Sequence, residues 1–547
     1  MSTKASLQEL PPETITNILE YLKLQKRALA RVARVSRKLN ALASPLLYET
    51  VVLDLRSFRR SEGMKYTSLL VDGHQSFRLI KNFGFKGIVD EPGTVHPESS
   101  ETLDWIVLGL LRHLKNGQLR NFIWLTDLDL TGAIARELKY RQSLLQGIWV
   151  SSGSKYPSVV DYSLFWTTLD RIQHLHLSEV CFKPELWRMF RDPDRTLNTL
   201  QSLTVTVPDS YDLQGTVTML QDPNFDGSIL PIEEPPLWAP PKFPSLKYLS
   251  LGGVGMGLLK TPTKINQIFD VDKLRTLKLI DSMDLWTTLN DLQKLSLRLK
   301  TFHLRTKDPH ISIENFLSSF SGLEELYLDL EGSQVNDIKN NLGLKNHSST
   351  LIRLFIRLER EEEEQENFGI FFTEFAESRM CFPQLLELAI ACSPKSIEHF
   401  HDSYYDLMPK LQLLWLPIVV HNWTVDDLRQ DHITSLLRPI FRDWLMTDGM
   451  KLSFVAIGTR DRGGWPFIFE LCQADSISGY ISTSLGYISH QRLFNHNPDL
   501  TLLNIETIWL PWQEERQFID SIPESHFYDF WRFDDPLFTN PEIEWLN

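Results

Sequence analysis

The chain has 547 residues, more than one hydrophobic core usually serves, so we expect several domains or a repeat array. Its 70 acidic and 56 basic residues give a formal net charge of −14, which argues against nucleic acid as the main partner because phosphate binding requires concentrated Lys and Arg. The four cysteines include no C-x-x-C pair, which argues against a disulfide framework and a zinc ribbon.

The segment ahead of Leu10 lacks the apolar region of a secretory signal. No apolar run along the chain is long enough to cross a bilayer. We therefore expect the protein in the cytoplasm, the nucleus or both, without a membrane partner.

A first helix is predicted to begin at the sequence Leu10-Pro11-Pro12-Glu13. Proline suits the first helical turn, where its missing N–H costs nothing, and Glu13 complements the positive end of the helix dipole. One apolar stripe then follows at three- and four-residue spacing, formed by Ile15, Ile18, Leu19 and Leu22.

A second helical pattern follows, and Pro45 is predicted to end it. Its stripe consists of Leu29, Val32, Ser36, Leu39 and Ala43, with Val35 and Leu42 beside it. Two helices this short cannot bury their own stripes, so we expect them to pack on each other and on something else. Seven basic residues and no acidic one lie between Tyr21 and Tyr48: Lys23, Lys26, Arg27, Arg31, Arg34, Arg37 and Lys38.

The string L-x-x-L-P-x-E-x-x-x-x-I-L-x-Y-L, a short polar link and then ALARVARVSRKLNALASPLLYE together resemble an F-box, over about residues 7–50. The resemblance implies docking on the Skp-type adaptor of cullin–RING ubiquitin ligases, and through it on a cullin. The family's contact positions correspond here to Leu10, Pro11, Ile15, Ile18, Leu19, Leu22, Val32 and Val35. Leu39 departs from the pattern, because many members carry Trp there.

Two other interpretations of this segment stay open. It could be a helical cap on a larger domain. It could also be a basic amphipathic helix that binds a membrane surface or a calmodulin-like partner, although its Leu-Pro start and Pro-Leu-Leu-Tyr exit have no role there.

Past Leu119 one pattern recurs: an aliphatic residue, two others, an aliphatic residue, one other, and an aliphatic residue. Copies that begin at residues 246, 274, 299, 323 and 351 are 28, 25, 24 and 28 residues apart. This spacing resembles a leucine-rich-repeat array. The Asn or Cys that such repeats carry three residues after the last aliphatic is absent, so the ladder it supports must be satisfied otherwise.

The expected fold class is α/β, with a small all-helical F-box followed by an irregular leucine-rich-repeat-like α/β solenoid. The expected divisions are an F-box at 1–50, a linker and solenoid entry at 51–118 with a loop at 90–101, an array at 119–505 with a Pro-rich loop at 208–244, and a C-terminal cap or tail at 506–547. Helices are expected between copies, around 311–320 and 368–378. The tail either caps the array or folds back across its concave face.

No combination of residues predicts an active site, so we expect no enzyme, no cofactor and no resident metal. The glycine-rich segment 252–261 lacks the contiguous Gly-Lys-Ser/Thr of a phosphate-binding loop. The pairs His174 with His176 and His399 with His401 could be metal ligands, but no further ligand cluster accompanies them.

If the copies form parallel strands, the residue between the last two aliphatics points away from the core. A row of such residues is the candidate binding site for an unknown protein target: His303, Tyr327, Phe355 and Trp415, flanked by Arg305, Arg353 and Arg357. Alternatively, another part of the chain covers these residues, which then belong to the core. The sequence as a whole predicts a substrate-recruiting adaptor of an SCF-type ligase, and the alternative is a scaffolding protein that recruits no cullin.

Overall fold

The computed structural model divides into two compact units. It describes residues 10–22, 26–54, 75–87, 97–126, 130–152, 171–178, 197–206, 243–252, 270–281, 285–306, 313–331, 341–359, 380–390, 407–416, 451–452, 454–457, 467–473 and 483–488. Within these ranges, no helix is both long and apolar enough to cross a membrane.

The first unit begins with three helices: α1 (Pro12–Tyr21), α2 (Lys26–Ala33) and α3 (Arg37–Tyr48). The second helical pattern of the sequence is therefore two helices, which corrects the prediction of a single one. Ser36 causes the break, because its backbone is extended and its Oγ accepts a hydrogen bond from the N–H of Leu39.

Helix α3 runs through Pro45 to Tyr48, so the prediction that this proline ends the helix is wrong. A proline in a helix removes one backbone hydrogen bond, but its ring holds φ near the helical value. The last turn also places Leu46 in the core, and this burial favours its continuation. That core is formed by Ile15, Leu19, Leu29, Leu39, Ala43 and Leu46.

The first unit continues with strands that pair in parallel, each with the next in chain order. They are β1 (Thr50–Asp54), β2 (Asn82–Gly87), β3 (Asn121–Thr126), β4 (Gly147–Ser152), β5 (His174–Ser178) and β6 (Ser202–Thr206). A 3-10 helix at Gln75–Leu79, α4 (Pro97–His113) and α5 (Gly132–Arg141) lie between them.

Strands β1 and β2 precede residue 119, within the span predicted as linker and solenoid entry. Helix α4 begins inside the predicted loop at 90–101, which corrects that prediction for residues 97–101. Pro97 at the first helical position and Glu98 beside it have the composition of a helix start, a signal that the glycine and prolines of the segment concealed.

The second unit has parallel neighbours from β7 to β14 and an antiparallel pairing of β14, β15 and β16. Its strands are β7 (Tyr248–Gly252), β8 (Thr276–Ile280), β9 (Thr301–Thr306), β10 (Glu325–Glu331), β11 (Arg353–Glu359), β12 (Glu387–Ile390), β13 (Leu413–Leu416), β14 (Phe454–Ile457), β15 (Phe467–Gln473) and β16 (Thr483–Ile488). Its helices are α6 (Leu285–Leu292), α7 (Ile313–Ser318) and 3-10 helices at Val271–Lys273 and Asn341–Asn346.

The repeated aliphatic pattern coincides with the strands from β5 to β13, and its weaker copies coincide with β3 and β14. The last two aliphatic residues of a copy lie on the strand, and the first lies just ahead of it. Around β10, for example, Leu326 and Leu328 lie on the strand and Leu323 precedes it. The mixed α/β architecture with parallel strands is consistent with a solenoid, while the repeat type stays a prediction.

Residues 474–482 are too few for the crossover that a parallel connection needs, which accounts for the antiparallel pairing of β15 with β16.

Successive strands are joined by a hydrogen-bond arrangement that recurs at their starts. The carbonyl of Lys300 accepts from the N–H groups of both Glu324 (2.8 Å) and Glu325 (3.0 Å). In the first unit the same double acceptance occurs at the carbonyls of Glu49, Lys81, Arg120, Gln146 and Gln173. In the second unit it occurs at Lys247, Arg275, Lys300, Glu324, Ile352 and Leu386. One carbonyl thus fixes two consecutive residues of the next strand and sets the register between the two strands.

Side chains provide a second connection at two copies of the pattern. The Oγ1 of Thr199 donates to the carbonyl of Ile172 at 3.0 Å, and the Oγ1 of Thr350 donates to the carbonyl of Leu323 at 2.6 Å. Each threonine comes directly before the first aliphatic of its copy, and each acceptor is the first aliphatic of an earlier copy. The same position of two different copies therefore makes the same bond.

Replacing Thr350 by Val is expected to lower the free energy of unfolding of the second unit by about 1–2 kcal/mol, because the carbonyl of Leu323 loses this donor. Thr350→Ser retains the hydroxyl and should stay close to wild type. Chemical denaturation followed by tryptophan fluorescence measures both. Equal stability of the Val and Ser variants would mean that the side-chain bond contributes nothing.

Candidate functional site

The eight positions predicted to contact an adaptor divide by their exposure in the helical domain. Pro11, Ile18 and Val35 are exposed, and the last two have 37% and 62% of their surface accessible. Ile15 and Leu19 are fully buried and hold the core together. The remaining three are partly buried: Leu10, Leu22 and Val32. Of the eight, these three are the most accessible to a partner, and adaptor binding stays a prediction for all eight.

Val35 is exposed because of where the chain turns. Its N–H donates to the carbonyl of Val32 at 3.1 Å, which closes the last turn of α2, and Ser36 then starts α3. The start of α1 is tied to this turn, because Nζ of Lys38 donates to the carbonyl of Leu10 at 2.9 Å.

Tyr21 is an exposed apolar residue that the sequence interpretation did not single out, with 86% of its surface accessible. It is the last residue of α1, and its position in the helix points away from the stripe of Ile15 and Leu19. A large aromatic residue on the polar side of a helix is the feature of the sequence that could have indicated this exposed position.

The helical domain is joined to the sheet without a linker, because α3 ends at Tyr48 and β1 begins at Thr50. Glu49 between them is only 6% exposed. Its carbonyl accepts from the N–H groups of Lys81 and Asn82, and its Oε1 lies 2.7 Å from Nζ of Lys81. The side chain of Asn82 in turn donates to Thr50 at 2.8 Å.

In the second unit, side chains of one strand alternate between two faces. Phe302 lies on the helix side, where its ring centroid is 4.9 Å from that of Phe316 in α7. His303 next to it lies on the opposite face. The strand register places His303 beside Tyr327, Tyr327 beside Phe355, and Phe355 beside Ala389, which neighbours Trp415.

These aromatic residues form a continuous stack on the opposite face. The ring centroids of Tyr327 and Phe355 are 4.0 Å apart with an interplanar angle of 10°. His303 lies 5.6 Å from Tyr327, and Trp415 lies 5.3 Å from Phe355. All four side chains are at most 1% exposed. The sequence left two alternatives for these residues, an exposed strip or a covered part of the core, and in the structure they are covered. Target binding by these four residues stays a prediction.

The three arginines predicted beside this stack each contact carboxylates of neighbouring strands. Arg357 makes two bonds of 2.8 Å to the two carboxylate oxygens of Asp329. The Nε of Arg353 donates to Glu387 at 2.8 Å. The Nε of Arg305 lies 3.3 Å from Asp281 and 4.0 Å from Asp329. Their positive charges are therefore compensated within the unit, which does not favour an acidic ligand.

His303 and Glu325 form a close pair, with His303 Nε2 at 2.5 Å from Oε1 of Glu325. Burial lowers the pKa of His303, helped by the positive charge of Lys278 and opposed by the bond to Glu325. Burial raises the pKa of Glu325, but the hydrogen bond from His303, with the charges of Lys278 and Arg353, lowers it to about 2. At neutral pH the pair is thus a neutral imidazole that donates to a carboxylate.

The residues considered for metal or phosphate chemistry assemble no site among those described. His174 and His176 share one face of β5, and burial lowers the pKa of His176 to about 3. The described ranges contain no group of three or more His, Cys, Asp and Glu that could hold a metal ion. Outside the described residues lie His399, His401, most of the glycine-rich segment, most of the Pro-rich segment 208–244, the predicted helix at 368–378 and the tail 506–547.

Comparison with known families finds a match to the F-box-like family over residues 7–54, which include α1, α2, α3 and β1. Residues 7–54 are an F-box-like domain. No curated protein matches the chain. One chain of the crystal structure of the Rad7 and Elc1 complex in yeast is similar to 77% of this chain and 97% of its own length, at 15% sequence identity and a TM-score of 0.36.

Tyr327→Ala is expected to destabilise the second unit by about 3–5 kcal/mol, because it opens a cavity in the aromatic stack between His303 and Phe355. Tyr327→Phe keeps both ring contacts and should cost less than about 1.5 kcal/mol. Thermal unfolding monitored by near-ultraviolet circular dichroism would distinguish the two. A small effect of the Ala variant would indicate that this face is open in solution.

The stability of the second unit is expected to fall as pH drops below 6.5, because the unfolded chain then protonates His303 while the folded state, with its lowered pKa, does not. Glu325 adds a further loss between pH 4.5 and about 2, since its carboxylate is stabilised only in the folded state. His303→Gln keeps a donor for Glu325 and should reduce the fall in stability between pH 7.5 and 5, leaving the contribution of His347 in the same unit, whose pKa is also lowered by burial. Denaturation midpoints over this range test it, with the exposed His113→Gln as a control that should follow wild type.

Proposed function

We propose that the chain is a substrate-recruiting adaptor of an SCF-type cullin–RING ubiquitin ligase. The observation that carries the proposal is the F-box-like domain at 7–54, which exposes Pro11, Ile18 and Val35 outside a closed core. In this role the domain binds a Skp-type adaptor, and through it a cullin. The chain itself performs no chemistry and needs no cofactor.

The sheet that follows is proposed to bind the target protein. Its long series of strands offers a recognition surface, and binding there would raise the local concentration of target lysines near the ubiquitin-transfer subunits. Among the predicted target-binding residues, Arg305 and Arg353 are partly exposed, whereas the aromatic stack beside them is buried. A target would therefore contact these two arginines before the other predicted residues. The proposed place of action is the cytoplasm, the nucleus or both.

The alternative is a scaffolding protein that uses the same domain without recruiting a cullin. Both functions require binding of the Skp-type adaptor, so adaptor binding alone does not separate them. Recovery of the cullin together with the adaptor supports the ligase role, and recovery of the adaptor without the cullin supports the scaffold.

The double variant Ile18→Asp with Val35→Asp is expected to weaken Skp-type adaptor binding at least a hundredfold, because two exposed apolar contacts become charged. Neither position is in the core, so the domain should fold as in the wild type. Leu144→Asp in the same unit is a matched control, since it places a charge at an apolar residue that is 64% exposed. Co-purification with adaptor and cullin, followed by calorimetric titration of the adaptor, measures the effect.

The proposal fails if the wild-type chain recovers no Skp-type adaptor. It also fails if the double variant and Leu144→Asp bind the adaptor equally well, because the exposed positions of the domain then play no part. Circular dichroism of the variants checks that any loss of binding does not arise from unfolding.

A further inference from the structure

Helices α2 and α3 begin with the wrong charges for their own stability. The N-terminus of a helix carries partial positive charge and favours acidic residues in its first turn. Yet α2 starts with Lys26 and Arg27, α3 starts with Arg37 and Lys38, and neither has an acidic residue in its first turn. Sequences break such local rules chiefly at functional sites, where another requirement outweighs stability.

The other described helices do not share this feature. Helix α1 has Glu13 in its first turn and α7 has Glu314, as the dipole favours. Among the described α-helices, only α2 and α3 open with basic residues. The reversal is therefore confined to these two among the described α-helices, and at α3 it lies next to the turn that contains Val35 and Ser36.

Four basic residues flank one exposed apolar residue in the sequence. Arg31 and Arg34 precede Val35, and Arg37 and Lys38 follow it after the capping Ser36; all four bases are exposed. We call these four bases with Val35 the basic corner. No acidic residue lies between Tyr21 and Tyr48, although the whole chain has a net charge of −14.

We propose that the basic corner docks against an acidic surface of the Skp-type adaptor, with Val35 as the apolar contact at its centre. The inference rests on the proposed function and adds the charge of the partner. Carboxylates of that partner would supply the negative charge that the start of α3 lacks. Complementary charge mainly accelerates association, so it would also draw an acidic partner to a chain that repels it elsewhere.

An anionic membrane fits the basic corner less well than a protein. Membrane binding by a basic helix requires an apolar face that inserts between the lipids. The apolar face of α2 is occupied, because Leu29 and Ala30 are 0% and 6% exposed in the domain core. Val35 alone is then left at the corner, which suits a shallow protein pocket.

The test compares the full chain with the triple variant Arg31→Glu, Arg34→Glu and Arg37→Glu. A control with the same change in net charge is Lys115→Glu, Arg136→Glu and Lys345→Glu, three exposed bases outside the domain. Association rates with purified Skp-type adaptor are measured by surface plasmon resonance at low and high salt. The wild-type rate is expected to fall at least tenfold with salt. The corner variant should associate at least tenfold more slowly at low salt with little further salt effect, and the control should stay within twofold of wild type.

Thermal unfolding separates this role from a structural one. Arg37→Glu places an acidic residue in the first turn of α3, where the helix dipole favours it, whereas Arg31→Glu removes a favourable base from the last turn of α2. Because these two effects oppose each other, the corner variant should melt close to the wild-type temperature while it binds more slowly. A lower melting temperature with proportionate loss of binding would overturn the proposal in favour of a structural role.

Equal association of the wild type and the corner variant would also overturn it, and the adaptor role would stand without the charge. No binding by the wild type would instead remove the proposed function. Vesicles of phosphatidylcholine with a quarter phosphatidylserine are the remaining arm. Wild-type binding to these vesicles that the corner variant loses, without an effect on the adaptor, would reassign the corner to membranes.

Discussion

The structure depends on one hydrogen-bond arrangement, in which a single carbonyl at the start of a strand accepts two consecutive N–H groups of the next. A carbonyl has two lone pairs, so it can satisfy both donors without a side chain. The arrangement occurs with Glu and Lys as readily as with Ile and Leu, since only the backbone takes part. This independence from residue type allows irregular copies of the aliphatic pattern to keep their strands in register. Threonines at equivalent positions, such as Thr199 and Thr350, add a bond where the sequence permits one.

The two faces of the second unit are stabilised by different interactions. On the helix side, Leu and Phe side chains pack against α7 and contribute through burial alone. On the opposite face, the aromatic stack of Tyr327 and Phe355 lies beside paired charges such as Arg357 with Asp329. Buried ion pairs add little net stability but are costly to break singly. A ligand would reach only the partly exposed Arg305 and Arg353 on this face, and both already lie beside carboxylates.

Much of this architecture could be predicted from the sequence, and the errors have physical causes. The spacing of the aliphatic residues predicted the strands, because a buried strand imposes that alternation wherever it occurs. The F-box-like domain was recognisable because its Leu-Pro start and two apolar stripes are specific. The break at Ser36 was missed because a capping serine also fits a continuous stripe, and the course of α3 through Pro45 was missed because burial of Leu46 outweighs one lost bond. The burial of Trp415 and its neighbours could not be predicted, since it depends on contacts between residues distant in sequence.

The role of Glu49 has a consequence for where this protein can be divided. Its carbonyl is the first double acceptor of the sheet, and it belongs to the residue that follows α3. A chain that lacks residues 1–50 would leave the N–H groups of Lys81 and Asn82 without the carbonyl that accepts from both, and it would lose the ion pair of Glu49 with Lys81. The F-box-like domain is thus the N-terminal cap of the strands that follow it as well as a docking module. A division after Asp54 breaks the same bonds, so a transferable piece that keeps the contacts of Glu49 has to include β2 as well.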